Sequence, residues 1–279
     1  MTMALADLVR HLNDLPSLPA VVMELLSSID QEDADIAVLA KKLSHDQALT
    51  AKTLRLANAT LNGLQVKVTT VQQALTFLGF QTTRNLITAA AVTGCFPQGR
   101  CPGFDDKAFW RHSIATAVCC QVIARRVRYS QDIAFTAGLL HDIGRLVLVT
   151  ADPDTYAAVM AYKRSHDSAV LEAERAVMGV DHVDAGVALG QRWHFSDTMT
   201  TAIAYHHDPD APGAGMLATI VHVANAIVHA LDVAREEDEL VPAVSSAAWT
   251  ALGLNEEACL HVFRETELQF EEITLILMG

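Results

Sequence analysis

The stretch Gly138–Leu148, with the sequence GLLHDIGRLVL, carries charged residues inside an apolar run. Leucine, isoleucine and valine flank His141 and Asp142, and Arg145 follows one turn later. Burying an unpaired carboxylate costs several kcal/mol or shifts its pKa until the group is neutral. A divalent cation is the simplest partner for a buried aspartate beside a histidine, because imidazole with carboxylate suits Zn, Mn, Fe or Co. The stretch therefore indicates a metal site.

Other histidines stand in small or apolar surroundings on separate predicted helices. Small side chains at helical spacing leave room beside the imidazole of His112. His182 precedes Gly186 and Gly190 on one helix face, where close packing would offset the roughly 1 kcal/mol that each glycine costs against alanine. The pair His206–His207 ends its helix. Taken singly, the alternatives are a hydrogen-bonded core histidine at 112, a solvent-facing histidine at 182, and a cation satisfying terminal carbonyls at 206–207.

One apolar predicted helix, Met216–Arg235, carries four polar residues at helical spacing. We expect His229 and Asp232 to face solvent, whereas His222 and Asn225 can reach a metal site. Asparagine is a neutral and poor ligand, which sets Asn225 apart from the other candidates. We expect the candidate ligands, which come from several helices, to converge on one site. They are His112, His141, Asp142, His182, His206, His207 and Asn225.

Helical periodicity dominates the chain and strand patterns are scarce, which predicts an all-α multi-helix bundle. Thr70 and Gln73 have the spacing of a capping box. In a second His-Asp pair, His45–Asp46, the aspartate has the position of an N-cap, and we assign that pair no chemistry. The Gly- and Pro-rich loop Cys95–Asp106 predicts a boundary between an N-terminal helical subdomain, 1–105, and a second helical part, 106–279. Long helices are predicted over 106–127, 132–150, 182–193, 197–207, 216–235 and 256–277.

Composition narrows the possible classes of protein. The 279 residues carry a net charge of −13, which argues against a nucleic-acid-binding surface because such a surface needs clustered Lys and Arg. The start of the chain lacks the pattern of a signal peptide, and polar residues interrupt the most membrane-like stretch, Met216–Ala234. Five cysteines without a C-x-x-C pair indicate reduced thiols. We therefore expect a soluble cytoplasmic protein, with the acidic run REEDEL at 235–240 as a solvated helix end or turn.

A series of segments in a characteristic order resembles the HDOD family, the HD-related output domains of bacterial signalling proteins. The segments are LPSLPAVV, DQALTAKTLRLANA, TTVQQALTFLG, FWRHSIATA, AFTAGLLHDIGRLVL, GVDHVDAGVALGQRW, AIAYHHDP and VHVANAI. The resemblance implies an all-α fold whose second part is related to the HD-domain phosphohydrolases. It also implies a two-metal site, with His112 as the first histidine ligand, His141 and Asp142 as the naming pair, and three further histidine ligands. These are His182, His206 and His207.

The sequence also departs from the catalytic relatives in ways that bear on function. Asn225 stands where those relatives have a closing aspartate, Arg145 replaces a lysine, and the Gly-Tyr-Pro signature of the HD-GYP branch is missing. The first hypothesis is a non-enzymatic signalling module that binds one or two Fe, Mn or Zn ions and a protein partner or a small phosphate-containing ligand. The second is a metal-dependent phosphohydrolase, in which Asp142 ligates the metal and Arg145 holds the anionic substrate. The oligomeric state stays open.

Overall fold

The computed structural model describes residues 18, 20–27, 43–44, 47–60, 68–96, 99, 101–235 and 239–278. Within these ranges every regular element is a helix, which confirms the predicted all-α class. The helices are α1 (Ala20–Ser27), α2 (Gln47–Thr60), α3 (Val71–Leu78), α4 (Phe80–Thr93), α5 (Asp106–Val127), α6 (Gln131–Leu140), α7 (Ile143–Ala151), α8 (Pro153–His166), α9 (Val170–Val177), α10 (His182–Arg192), α11 (Asp197–Tyr205), α12 (Gly215–Ala230), α13 (Ser246–Ala251) and α14 (Glu256–Met278).

Helix α5 is the central element of the bundle. It is buried along most of its length and packs against α6, α12 and α14. Its small residues allow this close approach, since a Cβ added at Gly138 of α6 would lie 2.8 Å from the Ala117 Cα atom of α5. Helix α14 also contacts α2 and α4 from the first part of the chain. The described core therefore includes residues from both sides of the loop at 95–106, and the division into two subdomains stays a prediction.

Local sequence signals fix several helix starts. The side chain of Thr70 accepts a hydrogen bond from the Gln73 amide at 3.2 Å, and the Gln73 side chain accepts one from the Thr70 amide at 3.3 Å. These two bonds confirm the predicted capping box at the start of α3. The predicted N-cap in the pair at 45–46 lies outside the described residues.

Two predicted helices are shorter than expected. The segment 132–150 is not one helix, because α6 ends at Leu140 and α7 begins at Ile143. Asp142 between them has φ −99° and ψ 10°, the bridge region of backbone space, so the chain turns at the His141–Asp142 pair. The segment 216–235 is helical only to Ala230, and Asp232 beyond it has a left-handed φ of 51°. The first break places His141 and Asp142 at a helix junction, where their side chains turn towards a common site.

The membrane prediction needs one refinement. Among the described residues, the stretch with the length and hydropathy of a membrane span is Gln131–Ala151, and not 216–234 as the sequence suggested. In the fold, 89% of its most apolar window is buried inside the protein. These residues therefore form helices of the protein core.

Candidate metal centre

Three buried histidine side chains surround one carboxylate oxygen of the buried Asp142. The Asp142 Oδ1 atom lies 3.4 Å from Nε2 of His182, 3.4 Å from Nε2 of His206 and 3.5 Å from Nε2 of His141. His141, His182 and His206 are 0% exposed, and Asp142 is 6% exposed. His207 joins this group, with its Nε2 atom 2.9 Å from that of His182. His112 also offers an atom within 4.8 Å of His141 and Asp142, so the structure brings together six of the seven predicted ligands at the junction of α6 and α7.

The backbone at two helix ends fixes which nitrogen of each histidine carries hydrogen. His141 follows α6, and its Nδ1–H donates to the Gly138 carbonyl at 2.8 Å. His206 follows α11, and its Nδ1–H donates to the Ile203 carbonyl at 2.8 Å. A carbonyl oxygen only accepts, so in the neutral ring Nε2 is left with a lone pair. Each histidine therefore caps its own helix end and presents Nε2 to Asp142, which combines the two alternatives considered for His206–His207.

The converging atoms are mostly acceptors, and buried acceptors that face one another are stabilised by a proton or a metal ion between them. Neither Asp142 Oδ1 nor His206 Nε2 has a hydrogen-bond partner, although both are buried. Ligand atoms around one ion at about 2.1 Å lie roughly 3.0–3.5 Å apart, which matches the separations from Asp142 Oδ1 given above. Asp142, His182, His206 and His207 each offer an atom within 4.8 Å of all the others. The donor set of imidazoles and one carboxylate fits a divalent transition metal.

A second layer of buried polar groups positions His182. The carboxylate of Glu174, which is 0% exposed, accepts a hydrogen bond from Nδ1 of His182 at 2.6 Å and another from its backbone amide at 2.8 Å. Tyr156 donates its hydroxyl hydrogen to Glu174 at 2.9 Å, and Arg145 Nε donates to the Tyr156 oxygen at 3.3 Å. Carboxylate–histidine pairs of this kind orient metal ligands and raise their basicity. Sequence reasoning missed Glu174, because its charged neighbours at 172 and 175 make the segment resemble a surface helix.

Close helix packing and a capping box hold His182 at the first position of α10. Asp181 caps this helix by accepting from the Asp184 amide at 3.0 Å. A Cβ added at Gly144 of α7 would collide with the His182 carbonyl, and one at Gly186 would lie 2.8 Å from the Ile203 side chain. The predicted role of Gly186 in close packing is confirmed, and Gly144 is its unpredicted counterpart.

Burial and neighbouring charges divide the histidines into two classes. Burial opposes protonation of His182, but the Glu174 and Asp142 carboxylates outweigh it and raise its pKa to about 9. Burial lowers the pKa of His141 to about 4 and also lowers the pKa values of His112 and His207. Without a metal, His182 is therefore protonated at neutral pH, and its Nε2–H faces the acceptor atoms of His207 and Asp142. A bound metal would replace that proton.

His112 links this group to a second one that the sequence analysis did not predict. Its Nε2 atom lies 3.4 Å from Nε2 of His141, and its Nδ1 atom lies 4.0 Å from Glu239 Oε1. His229 Nδ1 lies 2.7 Å from the same Glu239 oxygen. The expectation that His229 faces solvent is wrong, because this face of α12 packs against α5 and the side chain is only 18% exposed. The expected solvation of the acidic run is also wrong for Glu239, whose side chain is 9% exposed.

The two remaining candidates on α12 differ in their availability. His222 donates Nδ1–H to the His206 carbonyl at 2.8 Å and accepts at Nε2 from the Ser245 amide at 3.0 Å, so neither nitrogen is free for a metal. Asn225 is 4% exposed, and its Oδ1 atom has no hydrogen-bond partner. It lines the cavity beside Asp142.

A cavity of about 370 Å³ opens next to the centre. Asp142, Arg145, Lys163 and Asn225 are among its lining residues, and the segment 239–243 forms one side. Arg145 Nη1 lies 3.7 Å from Asp142 Oδ2, so the guanidinium pairs with a neighbouring carboxylate inside the protein. A larger groove of about 710 Å³ lies between the end of α12 and α14 and includes none of the predicted site residues.

Sequence comparisons connect these features with known proteins. The family model for the HDOD domain matches residues 15–209. An uncharacterized protein of Treponema pallidum (strain Nichols) is 25% identical over 234 residues, 81% of this chain and 44% of that protein. Ribonuclease Y of Lactobacillus gasseri is 31% identical over 126 residues, 45% of this chain and 18% of that enzyme. The chain thus spans less than half the length of these curated relatives.

Solved structures show the same helical architecture. A candidate phosphohydrolase from Shewanella amazonensis SB2B is 29% identical and has a TM-score of 0.76, with 98% of each chain covered. A candidate signal transduction protein from Marinobacter aquaeolei VT8 has a TM-score of 0.82 at 23% identity, with 95% of this chain and 60% of that chain covered. The second likeness concerns the fold alone.

Proposed function

This chain belongs to the HDOD family, and on that premise we propose that it is a signalling protein with a retained HD-type metal centre. One observation carries the proposal: the buried, unpartnered Asp142 Oδ1 atom faces three histidine Nε2 atoms at 3.4–3.5 Å. Asp142, His182, His206 and His207 would hold the metal, which as a Lewis acid would polarise a phosphate oxygen near it. The ion is Fe, Mn or Zn.

Two residues that a hydrolase would use, Asn225 and Arg145, are poorly suited to catalysis here, and this favours the signalling role. Asn225 is neutral at the position where catalytic relatives have a carboxylate, and a neutral amide stabilises a divalent ion less than a carboxylate does. Arg145 has Asp142 and Tyr156 as neighbours, so its guanidinium is partly committed inside the protein. The chain would therefore bind a ligand or a protein partner. This binding would depend on whether the Asp142 centre holds a metal ion.

The second candidate function is a metal-dependent phosphohydrolase. The cavity beside Asp142 brings Arg145 and Lys163 to the ligand group, and two cationic side chains there suit a phosphate ester or nucleotide. Similarity to a candidate phosphohydrolase and to ribonuclease Y points in the same direction. In this case Arg145 would orient the substrate phosphate, and Asp142 would hold the metal against it.

One set of measurements separates the two functions. Purified wild-type protein and Asp142→Ala are compared for metal content and for turnover of phosphodiesters, phosphomonoesters and nucleotides. On the signalling proposal, wild type holds metal that Asp142→Ala loses, and neither protein shows turnover above background. Metal-dependent turnover that Asp142→Ala abolishes would establish the hydrolase instead. Wild-type protein that holds no metal after reconstitution would remove both candidates.

Two further variants refine this result. Arg145→Ala should keep its metal, because the ligand side chains Asp142, His182, His206 and His207 are all unchanged in this variant. If the protein is a hydrolase, the same variant should lose activity. Asn225→Asp restores a carboxylate at the cavity wall and should tighten metal binding. On the signalling proposal, that tighter binding brings no turnover.

A further inference from the structure

We propose that His112, His229 and Glu239 hold a second cation beside the Asp142 centre. In this arrangement Glu239 supplies the carboxylate that Asn225 does not. The inference rests on the proposed metal-binding function and adds a site with its own residues. Its ligands come from α5, from the last turn of α12 and from the segment that follows α12.

The spacing of the three side chains is the first support. The Glu239 Oε1 atom lies 2.7 Å from His229 Nδ1 and 4.0 Å from His112 Nδ1, and the two imidazole centroids are 4.5 Å apart. The ligand atoms all lie within 4.8 Å of one another. Despite the short separation, His229 Nδ1 and Glu239 do not meet in hydrogen-bond geometry. Glu239 Oε2 and His112 Nδ1 are also buried without a hydrogen-bond partner.

The tautomer of His112 is the second support. His141 Nε2 carries no hydrogen when its Nδ1–H is bonded to the Gly138 carbonyl. In the 3.4 Å hydrogen bond between the two Nε2 atoms, His112 is then the donor and His141 the acceptor. That assignment leaves a lone pair on His112 Nδ1, which faces the Glu239 carboxylate. Two acceptors facing each other in a buried place are stabilised by a cation between them.

The donor chemistry sets the class of ion. Two imidazoles and one carboxylate suit Fe²⁺, Mn²⁺ or Zn²⁺, and three protein ligands leave positions open to water or a ligand. The cavity of about 370 Å³ reaches both His229 and Glu239, so the open positions are accessible from it. The other explanation is an ordinary ion pair between protonated His229 and Glu239. It needs no metal and predicts a different ion count.

Counting ions per chain separates the two explanations. Metal-free wild type is reloaded with Mn²⁺ and, separately, with Zn²⁺, dialysed, and analysed by mass spectrometry. Glu239→Gln keeps the shape of the side chain and removes its charge. Glu272→Gln removes an exposed carboxylate of α14 as the matched control. We expect two ions in wild type and in Glu272→Gln, and one in Glu239→Gln. An anomalous difference map of Mn²⁺-loaded crystals should show a peak between His229 and Glu239.

The outcomes distinguish this inference from the proposed function. If wild type and Glu239→Gln each hold one ion, or each hold two, the inference is wrong and the Asp142 centre stands. Loss of both ions in Glu239→Gln would likewise overturn a separate site. Wild type without any metal would remove the proposed function as well. If Glu239→Gln does not fold, as judged by circular dichroism, His229→Asn is counted in its place with the same expectations.

Discussion

Replacing Glu174 by glutamine tests whether the buried carboxylate behind His182 tunes the metal centre. Glutamine can keep its oxygen on the His182 amide and Nδ1, which Glu174 now contacts at 2.8 Å and 2.6 Å. The contacts to His182 are therefore retained while the charge is lost, and the new NH2 group takes the place of the oxygen that accepts from Tyr156. Removing an outer carboxylate of this kind costs 10- to 100-fold in metal affinity, or about 1.4–2.7 kcal/mol.

Proton competition changes how this loss depends on pH. The pKa of His182 is raised to about 9, so at pH 7.5 a metal must displace nearly one proton, at a cost of about 2 kcal/mol. In Glu174→Gln the negative charge that raises the His182 pKa most is gone, so most of the free-energy cost of displacing the proton disappears. The two effects nearly offset each other at pH 7.5. The deficit of the variant should grow towards 10- to 100-fold as the pH approaches 9.

Calorimetry provides the measurement. Zn²⁺ is titrated in competition with a chelator, in buffers of different ionisation enthalpy, between pH 6.5 and 9. Wild type should release about one more proton per ion than Glu174→Gln at pH 7.5, and its affinity should rise more steeply with pH. Glu172→Gln, which removes an exposed carboxylate two residues earlier in α9, serves as the control. Equal proton release and parallel pH dependence in wild type and Glu174→Gln would refute the role of Glu174.

Three further expectations follow from features of the fold. Gly144→Ala should destabilise the protein by about 1–3 kcal/mol in urea unfolding and weaken metal binding, because its Cβ collides with the His182 carbonyl. Gly190→Ala should be milder, because its Cβ would meet only side-chain atoms, the Phe195 ring at 3.1 Å and the Thr200 hydroxyl at 3.4 Å. Equal effects of the two substitutions would contradict this. The free energy of unfolding of the metal-free protein should fall by up to about 3 kcal/mol through His141 as the pH falls from 6.5 to 4, because the folded pKa of about 4 lies below the unfolded value of about 6.5. Urea midpoints that stay level over that pH range would disprove this. Thr70→Ala should cost about 1 kcal/mol through loss of the α3 cap, with Thr76→Ala on the same helix as the comparison.

The sequence predicted the features that depend on local pattern. Helical periodicity gave the fold class, and α5 has the predicted bounds, 106–127. Histidines in apolar surroundings identified most of the ligand group, because a buried imidazole beside an aspartate needs compensation wherever it occurs. The helix break at His141–Asp142 was missed, since apolar residues flank the pair on both sides and the segment 139–149 contains no proline.

The features that sequence could not supply depend on contacts between distant segments. Glu174 lies in a helix of mixed charge and is recognised only when α9 is seen against His182. Glu239 lies in an acidic run that resembles a solvated turn, and only the return of the chain after α12 brings its carboxylate to His229. The sequence predicts a solvent-facing His229 because helical spacing defines a face and does not say what packs against it.

The contact between α7 and α10 leaves a signature that can be searched for in genomes. Gly144 follows Asp142 by two positions and Gly186 follows His182 by four, so each glycine is tied in sequence to a ligand. A homologue with a larger residue at position 144 cannot seat the His182 carbonyl where this structure has it. Relatives can therefore be sorted without any structure: those with the histidines but a bulky residue at 144 should have lost the metal, however complete their ligand set looks.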